Sequence, residues 1–270
     1  MARRATILAK EWTNSDFRLL VDAGGFSRGS DDFSQLQNEY LVKAMTWLDY
    51  SAINLGYKEF QLKPSFIKNL EQKLKTPFVS ANVVMAGGDK PFAQPYVIRE
   101  LELAGNGERK PLYKKLKVAI LGLCDNKMSP LFISRAGEPT LEYRDPVAVG
   151  QTIVPMLRKT ADLVILLYYG KFEEMNKTLQ AIDGIDVAVL GGEYYMLSNA
   201  AGKKSYIAVT TPLQGKYVGV LTLQLDKNKR VIGSTNKQIP LDEDIVEDAR
   251  FAQLVKEFEQ ANSSPGQAAH

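Results

Sequence analysis

Histidine is nearly absent: the chain of 270 residues holds one, His270, and it is the last residue. No interior position can therefore supply an imidazole, which excludes His-based triads, His general-base catalysis and His-built metal sites. Cysteine is equally scarce. Cys124 alone excludes an internal disulfide and a cysteine-rich metal centre. It sits in the apolar run Val118–Cys124, where a buried small hydrophobe is expected, and no histidine is near to activate a thiol. Strong charge is missing too. Thirty-four Lys and Arg face 31 Asp and Glu, so no electrostatic case exists for nucleic acid or an anionic membrane. The densest basic group, Arg109, Lys110, Lys114, Lys115 and Lys117, reads as a solvated loop. No apolar run is long enough to span a bilayer, and the N-terminus lacks the apolar core of a signal peptide.

What is present is an ordinary globular composition, 45% hydrophobic and 24% charged. Apolar spacing predicts helices over Arg4–Trp12, Asp32–Leu48, Pro64–Leu74, Asp145–Lys159, Glu173–Ile182 and Ile245 to Gln260. Strands are expected at Phe17–Asp22, Ala52–Leu55, Phe78–Asn82, Tyr96–Leu103, Leu116–Leu123, Asp162–Tyr168 and Asp186–Leu190. Three more, Ser205–Thr210, Lys216–Leu225 and Arg230–Gln238, follow without helices between them, the last two as a hairpin turning at Asp226-Lys227-Asn228. Strand–helix alternation followed by antiparallel strands predicts an α/β fold of layered sheets. One domain over 1–260 and a disordered tail over 261–270 are expected.

Four strand ends stand out: Asp22-Ala23-Gly24-Gly25-Phe26, Leu55-Gly56-Tyr57-Lys58-Glu59-Phe60, Leu167-Tyr168-Tyr169-Gly170 and Leu190-Gly191-Gly192-Glu193-Tyr194-Tyr195. Ligands of open α/β sheets bind at the carboxyl ends of strands, so these segments would converge if the strands lie side by side. In order and spacing they resemble the metallophosphoesterase (calcineurin-like) domain of the 5′-nucleotidase family. That family reads D-A-G-D, G-N-H-E-F, S-H and G-G-H-T-H at these places. The strings Phe78-Val79-Ser80-Ala81-Asn82, Pro95-Tyr96-Val97-Ile98, Val118–Leu123 and Gly215-Lys216-Tyr217-Val218-Gly219 extend the resemblance over about Ala2 to Phe258.

The resemblance implies a layered α/β-β/α sandwich and a centre of two divalent metals. The family's ligands, however, are replaced. Gly25 stands for the bridging aspartate, Tyr57 and Lys58 for the N-H pair, Tyr169 for the histidine of S-H, and Glu193 and Tyr195 for both histidines of G-G-H-T-H; Glu59 and Phe60 remain. The expectation is a degenerate pocket formed by Asp22, Gly25, Tyr57, Lys58, Glu59, Tyr169, Glu193 and Tyr195, with no metal and no catalytic residue. A protonated Lys58 would repel a cation, and the tyrosines would fill the emptied space.

Alternatives stay open at this point. Asp22, Glu59, Asp125 and Glu193 could form a carboxylate site for a hard cation, or Asp22 caps its turn, Glu193 pairs with Lys58 and Asp125 is a solvated loop residue. Tyr168-Tyr169 and Tyr194-Tyr195 could form an aromatic slot or simply cover a core. Lys58 with Arg28 could bind an anion, with Gly24-Gly25 allowing close approach. The corresponding functions are a non-catalytic interaction or structural module, a phosphoesterase with a carboxylate-only site, and a nucleotide or sugar-phosphate binder without turnover. Another protein chain or a second copy is the expected partner. The resemblance implies a periplasmic or extracellular location. It also implies an opening D-x-H strand and a second, substrate-binding domain. Neither has a counterpart here, so a fragment, a processed product or one piece of an assembly is expected.

Overall fold

The computed structural model describes residues 1–75, 77–103, 112–125, 132–192, 206–212 and 215–263. The amino-terminal half runs α1 (Ala2–Glu11), β1 (Val21–Asp22), α2 (Asp32–Trp47), β2 (Ala52–Asn54), α3 (Pro64–Leu74), β3 (Phe78–Val79), β4 (Val83–Met85), β5 (Tyr96–Glu102) and β6 (Lys115–Cys124). There follow β7 (Phe132–Ile133), β8 (Leu141–Tyr143), α4 (Pro146–Leu157), β9 (Leu163–Tyr169), α5 (Phe172–Ala181), β10 (Val187–Gly191), β11 (Ile207–Thr210), β12 (Tyr217–Leu225), β13 (Val231–Pro240) and α6 (Ala249–Ser263).

Two sheets position the strand ends. One has the order β1-β2-β3 and is parallel; the other has the order β11-β10-β9-β6-β5 and is parallel except for β5 at its edge. All seven residues of β9 are buried, the continuous apolar run expected of a strand covered on both faces. On one face of the five-stranded sheet, Leu121, Leu123, Leu166 and Leu190 pack with Val154 and Leu157 of α4 and with Met175 and Leu179 of α5. On the other, Ile120, Ile165, Leu167 and Val187 meet Ala52 and Val79 of the three-stranded sheet. The far side of that smaller sheet packs on α1, α2, α3 and α6 through Leu8, Met45, Ile53, Leu70 and Leu254. The layers are thus α/β-β/α, as the sequence implies.

Local chemistry sets the helix starts. The Asp31 carboxylate accepts from the Ser34 N–H at 3.0 Å, and Asp145, ahead of Pro146, accepts from the Ala148 N–H at 2.8 Å. The expected hairpin is present between β12 and β13, where Asp226 Oδ1 accepts from the N–H groups of Asn228 and Arg230.

Several boundaries differ from those expected. Strand pairing covers only Val21–Asp22 of the predicted Phe17–Asp22; Phe17 and Leu19 still pack against the core with Leu221 and Leu223. Phe78–Val79 is the strand and Ser80–Asn82 leaves it, because the chain turns there to enter β4. The short strands β4, β7 and β8 are not expected from the sequence, being too brief to show alternation. The last helix begins four residues later than expected, since Asp248 caps it by accepting from the Arg250 and Phe251 N–H groups. It continues through Ser263, so 261–263 are helical rather than tail; the rest of the predicted tail lies outside the described residues. No helix among the described residues is long and apolar enough to cross a membrane.

Candidate functional site

The ends of β1, β2, β9 and β10 do converge, and they converge on one ring. Tyr169, the last residue of β9, is 2% exposed. A β-carbon built on Gly25 would lie 2.4 Å from its Cε2, and one built on Gly56 would lie 2.3 Å from its Cδ1. Gly191 is nearly as close, at 3.1 Å from Cδ2. Glycine is required at Gly25 and Gly56 because the aromatic ring rests on bare backbone; Gly25 is further held at φ +84. Tyr57 leans on the same ring at a tilt, with centroids 5.4 Å apart. Burial, and then the nearby Glu59 charge, push the Tyr169 phenol upward and keep it protonated.

Glu59 lies beneath this ring pair and is fully buried. Its Oε2 accepts from the N–H groups of Gly25 and Gly56, both at 2.9 Å, and its Oε1 accepts from the Ser27 N–H at 2.8 Å. One carboxyl therefore ties the loop after β1 to the loop after β2. Burial raises it to about 7, although its three backbone donors favour the charged form. Asp22 caps its own turn, with Oδ1 accepting from the Gly24 N–H at 2.8 Å. Its carboxyl is also raised by burial, opposed by that hydrogen bond and by the charge of Arg4.

Asp125 departs from the expected solvated loop residue. It is 3% exposed, and its Oδ2 accepts from the Lys171 N–H at 2.6 Å, because the chain leaving β9 folds back over it. Gly170 permits this approach; a β-carbon there would lie 2.1 Å from Asp125 Oδ2. The aromatic-slot reading of Tyr168 and Tyr169 also fails, since both are buried in the core. Close approach at Gly24-Gly25 is real, but the group that approaches is the Tyr169 ring rather than an anion. Lys58 is half-buried at the start of a short 3-10 turn, where its carbonyl accepts from the Ser27 hydroxyl at 3.0 Å. Arg28 is exposed, and its backbone N–H donates to Asn38 Oδ1. Glu193, Tyr194 and Tyr195 lie outside the described residues.

Three contributors were missed. Asn54 Nδ2 donates to the carbonyls of Ala23 and Leu123, joining the two sheets directly below the pocket. Asn82 binds both Cys124 N–H and Cys124 O, fixing the end of β6. Arg4, from α1, donates to the Tyr50 hydroxyl at 2.9 Å and to the Gly215 carbonyl, and its charge acts on Asp22. A polar residue inside an otherwise apolar strand run, as in Ala52-Ile53-Asn54-Leu55, was the available signal for the asparagines.

Among the described residues, the Glu59 oxygens accept from three N–H groups, Asp22 and Asp125 each accept from a backbone N–H, and Tyr169 is a protonated phenol. No cluster of three or more His, Cys, Asp or Glu able to hold a metal occurs among the described residues. The Cys124 thiol is fully buried and shifted upward by that burial, so it is no nucleophile.

The fold is that of the calcineurin-like phosphoesterases. It superposes on the calcineurin-like phosphoesterase YfkN of Bacillus subtilis with a TM-score of 0.77 at 21% identity, over 97% of this chain and 88% of that one. The 5′-nucleotidase precursor of Thermus thermophilus gives 0.76 at 21% identity, over 97% of this chain and 53% of that one. In sequence, the chain is 28% identical to a snake venom 5′-nucleotidase of Gloydius brevicauda across 92% of its length, which covers 44% of the venom protein. Its homologues and structural neighbours are thus 5′-nucleotidases and calcineurin-like phosphoesterases, the family its strand-end motifs resemble. The chain spans less than half the length of the curated relatives it matches. No protein-family model matches it.

Proposed function

We propose that this chain is a metallophosphoesterase-fold protein without two-metal chemistry, serving as a structural or interaction module. One observation carries the reading: the Tyr169 ring occupies the space where the strand ends meet, against Gly25 and Gly56. A two-metal phosphoesterase needs ions about 3.5–4 Å apart to generate hydroxide and to neutralise phosphate charge. On this reading the buried phenol takes the room beside Gly25 and Gly56 that such a pair would need. Degenerate ligand positions at Gly25, Tyr57, Lys58 and Tyr169 support the same conclusion. A protein partner or a second copy then becomes the functional ligand. A periplasmic or extracellular location accompanies the family resemblance.

The names of the relatives favour a second reading, a nucleotide phosphoesterase with an atypical carboxylate site that includes Glu193. Calorimetric titration with AMP, beside metal analysis of the purified chain, separates the two. The first reading expects no stoichiometric metal and no phosphate release. Divalent metal in the purified chain, with phosphate release lost in Glu193→Ala, would establish the second. Heat from AMP without turnover would instead indicate a nucleotide binder, and would remove the interaction-module reading.

A further inference from the structure

Two surface features outside the Tyr169 pocket are complementary in charge. The first is a cleft of about 1140 Å³ beside α3 and the segment leading into β5. Phe92 and Val97 are buried in its lining. Lys68, Lys75, Lys90 and Arg99 surround it, against one carboxylate, Glu71, which is already paired with Lys68 at 2.7 Å. The cleft therefore concentrates as much positive charge as the net charge of the entire chain, +3. Lys75 and Lys90 are exposed and make no ion pair with a described residue.

The second feature is the connection between β13 and α6, Leu241-Asp242-Glu243-Asp244-Ile245-Val246-Glu247-Asp248. Asp248 caps α6 and Glu247 pairs with Arg3 at 3.4 Å, which leaves Asp242, Glu243 and Asp244 exposed without an ion pair to a described residue. Beside them Val246 is 79% exposed, more than any other large hydrophobic among the described residues. Its backbone is nevertheless held in place. The Thr6 hydroxyl donates to the Val246 carbonyl at 2.7 Å, and the Leu241 N–H donates to the Lys216 carbonyl at 2.8 Å. A fixed backbone lowers the ordering cost of docking.

We propose that the 242–246 segment of one copy docks into the Lys75–Lys90 cleft of a second copy, head to tail. Val246 rests on the half-buried Met85 and Pro91 of the lining, while Asp242, Glu243 and Asp244 face Lys75 and Lys90. No residue belongs to both surfaces, so each copy keeps one of each unused and the contact can propagate. Small contacts of this sort are weak and depend on ionic strength. The proposal stands whether or not the strand-end pocket retains any chemistry.

Sedimentation velocity of the full chain at low ionic strength tests it. The sedimentation coefficient should rise with concentration and return to the monomer value near 1 M salt, where screening shortens to about 3 Å. The double variants Lys75→Gln/Lys90→Gln and Asp242→Asn/Asp244→Asn alter exposed side chains only, and unchanged melting curves verify their folding. Each alone should self-associate on the order of tenfold more weakly. Their equimolar mixture should form a two-chain species and stop there, because it contains one intact segment–cleft pair. Wild-type chain that stays monomeric at low salt, variants that associate like wild type, or a mixture that stays monomeric would each overturn the proposal.

Discussion

Tyr169 and Gly25 share one volume: the phenol ring occupies the place a Gly25 side chain would need, with Cε2 2.4 Å from the position of a β-carbon. On the proposed reading, the place that the resemblance gives to a metal-bridging carboxylate is closed sterically as well as chemically. Gly25→Ala should destabilise the chain by more than about 2 kcal/mol, from the contact together with the φ of +84. Tyr169→Ala should cost about 3–5 kcal/mol by leaving a cavity. The double variant should cost less than the two combined, because the clashing partner is gone. Urea unfolding of the four proteins measures this coupling, and strict additivity would contradict the packing described.

Glu59 predicts a pH dependence. Its carboxyl is raised from 4.5 to about 7 in the folded chain by burial. Below about pH 4.5 both folded and unfolded states hold the proton, and above about 7 neither does. Between those values the folded chain alone retains it, so the stability this group contributes is lost as pH rises through the window. The loss is on the order of 3 kcal/mol. Glu59→Gln should flatten that part of the profile, and should lower stability throughout by leaving one of the three N–H groups without an acceptor, about 1–3 kcal/mol. Unfolding free energies at several pH values test both; an unchanged slope in the variant would refute the assignment.

Arg4 reaches from α1 to the underside of the pocket, donating to Tyr50 and acting on Asp22. Arg4→Met keeps the apolar stem and removes the charge. It should destabilise by roughly 1.5–3 kcal/mol, the range for a hydrogen bond made by a charged group. It should also raise the Asp22 carboxyl further. Chemical denaturation with a carboxyl-resolved NMR titration reads both effects, and a loss below about 0.5 kcal/mol would show Arg4 to be a surface residue in practice.

Cys124 is fully buried, and burial raises its thiol. A thiol reagent should titrate no cysteine in the native chain and one in denaturant. Rapid labelling of the native chain would mean that the end of β6 opens far more readily than its packing implies.

Much of this arrangement was legible in the sequence because two periodicities carry it. The long apolar runs of β6 and β9 and the amphipathic α3 announce themselves, and glycines after strands mark the turns that meet above the sheet. What could not be read was contact. That Glu59 spends both oxygens on the N–H groups of Gly25, Ser27 and Gly56 depends on two loops meeting across 30 or so residues of chain. The burial of Asp125 arises in the same way, from Gly170 allowing the next loop to close over it. Short strands such as Val21–Asp22 and Phe132–Ile133 offer too few residues for alternation to register.

Titration calorimetry of the purified chain with Mn²⁺ addresses the central claim most directly. With Tyr169 seated on Gly25 and the Glu59 oxygens committed to backbone N–H groups, no saturable heat is expected beyond weak, salt-suppressed surface binding. Saturable binding of two ions per chain, abolished by substituting the strand-end carboxylates, would contradict it.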